Sequence, residues 1–150
     1  MRAVIQRVSK SSVKVNGEIL GQTALGLLVL LGIEDLDNDE DVGWLARKIT
    51  GLRIFSELDE KMNLNIKKVG GGLLVISQFT LHASTKKGTR PSFVKAARPE
   101  KAIPLYEGFI EECENILGKE VSSGKFGAMM EVELTNDGHV KIVIDSKNKE

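Results

Sequence analysis

The chain has 150 residues, of which 41% are hydrophobic and 28% are charged, as is usual for a globular protein. This length suits one domain with one substantial core, so we expect residues 1–150 to form a single domain. Lysine plus arginine and aspartate plus glutamate number 21 each. The net charge of zero therefore gives no overall attraction to nucleic acid or membrane, and composition leaves enzyme and binding module equally open.

The sequence predicts neither a signal peptide nor a membrane span. Its N-terminus, MRAVIQRVSK, has no apolar signal-peptide core, and its longest apolar run, residues 27–31, is too short to span a bilayer. The one cysteine, Cys113, forms no internal disulfide, in keeping with a reducing compartment. We expect a cytoplasmic protein with no membrane partner.

The first half of the chain is predicted to contain four strands and one helix. Residues 3–8 indicate a strand, and residues 12–20 indicate two short strands joined by an Asn16-Gly17 turn. Residues 25–33 are apolar enough for a fully buried strand. Helical spacing from Val42 to Leu52 predicts the first helix, with Asp39 or Asp41 as its cap.

The second half is predicted to contain further strands and a second helix. Residues 53–55 indicate a short strand, and a loop-rich connection leads to the strand at residues 73–79. An apolar stripe over residues 102–117 predicts a helix that starts near Pro104. Residues 127–145 predict a terminal hairpin about Asn136-Asp137-Gly138. The class is therefore α+β, a strand-rich sheet or barrel-like core with two helices packed on it.

The buried strand at residues 73–79 ends in polar side chains. Ser77 and Gln78 stand where valine or isoleucine would continue a core strand, and Phe79 and Thr80 follow them. These groups either bond to a neighbouring loop or line a pocket in which hydroxyls, amides and backbone donors do cofactor-free chemistry. No sequence pattern typical of a zinc site, a hydrolase elbow or a nucleotide loop is present, so we predict neither a metal nor a cofactor.

Three other features have simple structural interpretations. The acidic residues 34–41 alternate as in a calcium loop, but Glu40 stands at the position of the loop's glycine, which argues against a metal site. Cys113 lies on the apolar stripe of the second helix, where a small core residue is more usual than a nucleophile paired with His82. The basic segment 86–101 is either a solvated loop or a contact for a phosphate backbone.

Five separated motifs resemble those of one enzyme family. They are MRAVIQRV at the N-terminus, RIFSELDEKMNLNI at 53–66, SQFTL at 77–81, GTRPSF at 88–93 and FGAMM at 126–130. Together, and in this order over nearly the whole chain, they resemble D-aminoacyl-tRNA deacylases. The resemblance implies a cofactor-free homodimer that hydrolyses the ester between a D-amino acid, or glycine, and the 3′-terminal adenosine of tRNA, with its active sites at the dimer interface.

The resemblance also implies roles for individual residues. The catalytic site would contain Ser77, Gln78, Phe79 and Thr80. The residues expected to bind substrate are Arg7, Pro91, Ser92, Phe93, Met129, Met130, Gly138 and His139, and those expected to contact the tRNA backbone are Lys86, Lys87 and Arg90. Thr80 matches a threonine once proposed as nucleophile, but no base is adjacent in sequence to activate it. The family's favoured mechanism uses the ribose 2′-hydroxyl and backbone N–H groups instead.

One position departs from the family. Family members carry a Gly-Pro pair with a cis bond in the last hairpin, which reaches into the partner's site and excludes L-amino acids, whereas this chain has Gly138-His139. A cis bond before a non-proline residue costs about 2.5–4 kcal/mol, so we expect a trans bond. Arg7 matches the arginine that orients this motif in the family. Because a trans bond would re-aim the carbonyls of this pair, the filter against L-amino acids is nevertheless expected to be weaker here.

Two alternatives remain. Relatives on the same fold are linked to binding DNA unwinding elements, and they are expected to carry an added tail, whereas this chain ends at Glu150 soon after the last predicted strand. We therefore expect the enzyme. A tRNA-binding paralogue with weakened turnover is the second alternative.

Overall fold

The computed structural model describes residues 1–150, with eight strands and two α-helices. The strands are β1 (Arg2–Val15), β2 (Glu18–Thr23), β3 (Gly26–Gly32), β4 (Phe55–Ser56), β5 (Met62–Leu64), β6 (Gly72–Ser77), β7 (Ser122–Ser123) and β8 (Glu131–Asp145). The helices are α1 (Asp39–Gly51) and α2 (Pro99–Leu117), and a 3-10 helix at Phe79–His82 follows β6. No helix combines the length and apolar character needed to cross a membrane.

The main sheet has the strand order β2-β1-β3-β6-β7, and β8 also pairs with β1. β3 and β6 run parallel, and they begin so close together that a Cβ atom on Gly26 would overlap the Gly72 carbonyl oxygen. The sheet curls until the Ser122 hydroxyl, on β7, donates to the Gln22 carbonyl of β2 over 3.3 Å. This nearly closed, mixed sheet with two helices confirms the predicted α+β class with a barrel-like core.

The two faces of β3 bury different clusters, because side chains alternate along a strand. Leu27, Val29 and Leu31 pack with residues of α1 and α2 in the main core. Leu28 points the other way, into a smaller cluster whose members are Val8, Val13, Leu74 and Ile76. Both helices therefore cover one face of the sheet, as the sequence predicts.

The helices begin where their caps place them. The N-cap of α1 is Asn38, whose side chain accepts from the Glu40 N–H, while Asp41 accepts from the Asn38 N–H at 2.9 Å. The predicted cap at Asp39 or Asp41 is therefore wrong by one position or more. α2 begins at Pro99 rather than near Pro104, because a proline at the first helical position loses no helical hydrogen bond.

The predicted terminal hairpin is wrong. β8 is one strand that pairs antiparallel with β1 along its length, from Arg2↔Asp145 to Lys14↔Glu131. The residues read as a turn form a bulge: residues 137–140 stand opposite Arg7 alone. The Asn16-Gly17 hairpin is confirmed, but its first strand is continuous with residues 3–8 and forms the long partner that β8 needs.

The acidic loop stabilises the fold. The α-amino group of Met1 donates to Asp37 at 2.5 Å and to the Ser146 hydroxyl at 2.9 Å, and that hydroxyl donates to Asp41 at 2.6 Å. Lys147 donates to the other oxygen of Asp41 at 3.0 Å. These bonds join the chain start, the end of β8 and the first turn of α1, and no group of three or more metal-ligating side chains is found here or elsewhere.

Candidate functional site

A cavity of about 330 Å³ opens where β3 and β6 end. β6 contributes Ile76 and Ser77, β3 contributes Leu31, and the segment before β8 contributes Met129 and Met130. The other lining residues are Ile33, Gln78, Phe79, Ala97, Ala102, Phe126, Gly127, Ala128 and Val132. The walls are largely apolar and include no ionisable side chain, so polar chemistry here depends on Ser77, Gln78 and the backbone.

The polar end of β6 turns directly into the 3-10 helix. The strand ends at Ser77, and the Gln78 N–H donates to the Leu31 carbonyl at 2.8 Å, which keeps the end of β6 beside β3. Ser77, Gln78 and Phe79 line the cavity. Thr80 is exposed outside the lining, and its hydroxyl oxygen accepts a bond from the Gln78 amide. Three of the four predicted catalytic-site residues thus share the cavity.

The loop after the 3-10 helix places an aromatic side chain beside the cavity. Ser84 and Ser92 exchange backbone hydrogen bonds of 2.8 and 2.9 Å, so residues 85–91 project as a closed loop. Phe93 then packs edge-on against Phe79, with ring centroids 5.2 Å apart. The exposed loop carries Pro91 and the three cations Lys86, Lys87 and Arg90, none of which forms an ion pair.

His82 lies at the end of the 3-10 helix, and it is buried. Its Nδ1 atom lies 3.6 Å from Glu34, while its Nε2 atom has no hydrogen-bond partner. Arg2 supports the same turn by donating to the Leu81 carbonyl at 2.7 Å. These contacts fix the turn that carries Phe79 and Thr80.

The bulge of β8 forms a second feature, centred on Arg7. The Arg7 guanidinium donates to the Ile54 carbonyl at 2.6 Å and lies 3.2 Å from Asp137. Gly138 and His139 both have positive φ, 62° and 57°, and a Cβ atom on Gly138 would collide with the Arg7 guanidinium. All peptide bonds are trans, so the predicted trans Gly138-His139 bond is confirmed.

The bulge and the cavity lie at opposite ends of β3 within one chain. Arg7 pairs with Leu27 at the start of β3, whereas Leu31, near its end, lines the cavity. Four residues of strand separate these positions by about 13 Å. The structure therefore does not bring Arg7, Gly138 and His139 together with residues 77–79 in the same chain.

Two groups outside the cavity have strongly shifted pKa values because they are buried. Burial, with a smaller contribution from the neighbouring Glu112 and Glu114, raises the pKa of the Cys113 thiol to about 12. Burial also raises the pKa of Tyr106 to about 12, although hydrogen bonds partly oppose the rise. Cys113 is fully enclosed in the main core, so the interpretation as a core residue holds and the thiolate needed for a nucleophile is disfavoured.

A family model described as D-Tyr-tRNA(Tyr) deacylase matches residues 4–145. This chain belongs to that family. Proteins named D-aminoacyl-tRNA deacylase from Flavobacterium psychrophilum and Akkermansia muciniphila are 56% and 57% identical to this family member over 150 residues, with full coverage of both chains. One from Christiangramia forsetii is 58% identical over 149 residues, 99% of each chain.

Solved structures share the fold of this deacylase-family chain. A structure described as c-Myc DNA Unwinding Element Binding Protein has a TM-score of 0.90 at 36% identity, covering 97% of this chain and 98% of the other. A probable eukaryotic D-amino acid tRNA deacylase has a TM-score of 0.82 at 16% identity, covering 95% and 97%, which shows the fold alone.

Sequence reasoning missed the apolar half of the cavity in this deacylase-family member. Leu31 and Ile33 come from a run read only as a buried strand, and Ala97 and Ala102 carry no chemical signal in the sequence. Asn136 was interpreted only as part of a turn, and its bond to Arg7 was missed: its side-chain amide donates to the Arg7 carbonyl at 2.8 Å and so helps to shape the bulge. The only sequence signal for this bond was that Asn136 is a polar residue next to Asp137-Gly138.

Proposed function

We propose that residues 1–150 act as one deacylase domain, which hydrolyses the ester bond of D-aminoacyl-tRNA, and of glycyl-tRNA, to free amino acid and tRNA. The observation that carries this proposal is the cavity at the end of β6, where Ser77, Gln78 and Phe79 meet Met129 and Met130. Those residues belong to two of the motifs that resemble the family. Relatives more than half identical over the whole chain carry the deacylase name. Aminoacyl-tRNA is used in the cytoplasm, and we propose that the protein acts there.

The chemistry follows from the walls of the cavity. A volume of about 330 Å³ suits one amino acid with part of a nucleoside, and apolar walls accept a side chain. Since no ionisable group lines the cavity, rate enhancement comes from positioning the ester and from backbone N–H groups that stabilise the developing oxyanion. The 2′-hydroxyl of the terminal ribose assists the attacking water.

We further propose that a second copy of the chain completes each site. Apolar side chains around the cavity and its adjoining loop are exposed: Phe79 by 55%, Val94 by 82% and Met129 by 92%. Large exposed apolar groups clustered at one place favour an interface. The bulge with Arg7, Gly138 and His139 is too far from its own cavity to act there, but in a homodimer it would reach the other copy's cavity. The exposed apolar surface and the distant bulge together support this arrangement.

The oligomeric state tests this arrangement. Sedimentation at micromolar concentration should give a dimer, and Met129→Glu should dissociate it and remove activity, because the charge would be buried in the interface. Leu36→Glu, which makes the same apolar-to-acidic change at an exposed position outside the cavity lining, is the matched control and should stay dimeric. An active monomer would contradict the shared site.

The activity is tested with matched D-aminoacyl-, L-aminoacyl- and glycyl-tRNA. Hydrolysis of the D- and glycyl-esters is the expected result. Binding of tRNA without hydrolysis of any ester would favour the paralogue with weakened turnover. Binding of duplex DNA in preference to tRNA, again without hydrolysis, would favour the DNA-binding alternative.

We also propose that the loop of residues 85–91 contacts the tRNA backbone. Its Lys86, Lys87 and Arg90 are exposed, free of ion pairs and close in sequence to Phe93 beside the cavity. Replacing all three with glutamine should raise KM for tRNA and flatten its salt dependence, since fewer counterions would be released. If the salt dependence of KM were unchanged, the loop would be a solvated loop that does not contact tRNA.

A further inference from the structure

A second cationic surface lies on the outer face of α1, away from the cavity. A pocket of about 430 Å³ there is lined by Trp44, Arg47, Lys48, Gly51, Leu52 and Arg53, and we call it the Trp44 pocket. Lys149, from the C-terminal segment, extends over the same indole ring. Cations from two separate parts of the chain, residues 47–53 and the C-terminal segment, therefore meet around one indole ring.

The indole ring holds two of these cations in place. The Lys48 ammonium lies 5.5 Å from the centre of the Trp44 ring, and the Lys149 ammonium lies 4.7 Å from it. Ammonium groups at such distances are attracted to the ring's electron-rich face. Each of the two long side chains is thus restrained against the same ring.

No carboxylate neutralises this surface. Arg47, Lys48, Arg53 and Lys149 form no ion pair, whereas Lys147 nearby is paired with Asp41. Acidic groups flank the surface on other sides, with Glu40 beside Lys149, and Glu111 and Glu112 beside Arg47. The lining of the Trp44 pocket itself has three cations and no acidic side chain, in a chain whose net charge is zero.

The Trp44 pocket is connected to the bulge of β8. Arg53 is followed by Ile54, whose carbonyl accepts the 2.6 Å bond from Arg7, and Arg7 in turn contacts Asp137. The pocket therefore lies on the flank of the molecule that supports Gly138 and His139. In the proposed dimer that flank adjoins the other copy's cavity.

We propose that the Trp44 pocket binds phosphate groups of the tRNA backbone as the acceptor arm leaves the cavity of the second copy. Arginine and lysine are the side chains that bind phosphate, and a restrained cluster loses little entropy when it does so. The inference rests on the proposed function, because it assumes that an RNA enters the neighbouring cavity. It adds a contact on the protein body to the one proposed for the loop of residues 85–91.

The experiment measures binding of uncharged tRNA to the full-length protein over a series of salt concentrations. A variant with Lys48→Gln, Arg53→Gln and Lys149→Gln is compared with a control that removes the same charge elsewhere, Lys61→Gln, Lys67→Gln and Lys68→Gln. The first should lower the slope of log Kd against log salt by about 2 to 3, at roughly 0.7 to 0.9 for each of three lost phosphate contacts. The control should keep the wild-type slope. Equal slopes in the two variants would overturn the proposal.

Trp44 supplies an independent readout, because it is the only tryptophan in the chain. Its fluorescence, corrected for absorption by RNA, should change on addition of tRNA and saturate with the measured Kd. Saturable binding with no change in fluorescence would overturn the proposal. Hydrolysis of D-aminoacyl-tRNA distinguishes failure of the proposed function from failure of the Trp44 contact. If the wild-type protein does not hydrolyse this ester, the proposed function is contradicted. If the wild-type protein hydrolyses it and the first variant does so with unchanged KM, only the Trp44 contact is contradicted.

Discussion

The cavity at the end of β6 and the bulge of β8 are built by different forces. The cavity is shaped by apolar strands and helices, and Ile76 on its wall is also part of the smaller core cluster. The bulge packs Val140 against the main core, but its polar residues depend on one buried arginine, which contacts Ile54, Asp137 and Gly138. The shape of the cavity is therefore shared among many packed side chains, whereas the shape of the bulge depends largely on one.

Arg7→Ala should have the largest effect. It removes a charged hydrogen bond to the Ile54 carbonyl and leaves Asp137 without its cation, so we expect a loss of about 2–3 kcal/mol in unfolding free energy. D-over-L selectivity should fall with it. Urea unfolding and kcat/KM on matched D- and L-esters measure the two effects.

Arg7→Lys is the matched control for this prediction. It keeps the charge, but a single ammonium does not reproduce the two-sided geometry of the guanidinium. We expect an intermediate stability and an intermediate selectivity. If Arg7→Ala were as stable and as selective as wild type, the bulge would not depend on the arginine.

The next effect concerns His139, whose φ of 57° is unfavourable for a residue with a side chain. Proline fixes φ near −65°, so His139→Pro is incompatible with the observed bulge and must re-form it. We expect the re-formed loop to discriminate D from L substrates at least about tenfold better than wild type, a change of about 1.4 kcal/mol in transition-state energy.

His139→Gly sharpens the same test. Glycine adopts positive φ readily, so this variant should keep the bulge, change stability by no more than about 1 kcal/mol and retain wild-type selectivity. The comparison requires that all three proteins are folded and dimeric. Equal selectivity in wild type and His139→Pro would show that the trans loop already discriminates as well as the family's proline.

The bulge also marks where sequence reasoning reached its limit. Asp137-Gly138 flanked by alternating residues is a strong local signal for a hairpin, but both halves of β8 find hydrogen-bond partners along the same long strand, β1. A partner far away in sequence overrode the local preference. The polar end of β6 was predictable because it interrupts an apolar run, whereas Ala97 and Ala102 gain their position only from tertiary packing.

A smaller effect is expected at the far end of β8, which is held by Asp41 rather than by Arg7. Burial opposes ionisation of Asp41, but hydrogen bonds from Ser146, Asn38 and Lys147 outweigh it and lower its pKa from 3.8 to about 2. A carboxyl group with a lowered pKa in the folded state contributes stability above pH 3.8, and this contribution is lost as the pH falls towards 2.

Thermal unfolding over this pH range checks the contribution. Asp41→Asn should be less stable than wild type at neutral pH, and the difference should shrink as the pH falls, because the wild-type carboxylate becomes protonated. The selectivity of the two proteins should be the same, since Asp41 contacts neither the cavity nor the bulge. A pH-independent difference in melting temperature would contradict the assigned ionisation.

The smallest effect is expected at Thr80, on the cavity side of the comparison. Its hydroxyl is exposed, lies outside the cavity lining and accepts a bond from the Gln78 amide, which is not a base. A threonine hydroxyl without a base is a weak nucleophile, so Thr80→Ala should keep kcat within about tenfold of wild type. The same assay on tRNA ending in 2′-deoxyadenosine should show a far larger loss, because the proposed mechanism places the assisting hydroxyl on the substrate. The prediction would be wrong if an acyl-enzyme were trapped on Thr80, or if Thr80→Ala lowered kcat as much as the deoxy substrate does. Either result would identify Thr80 as the nucleophile.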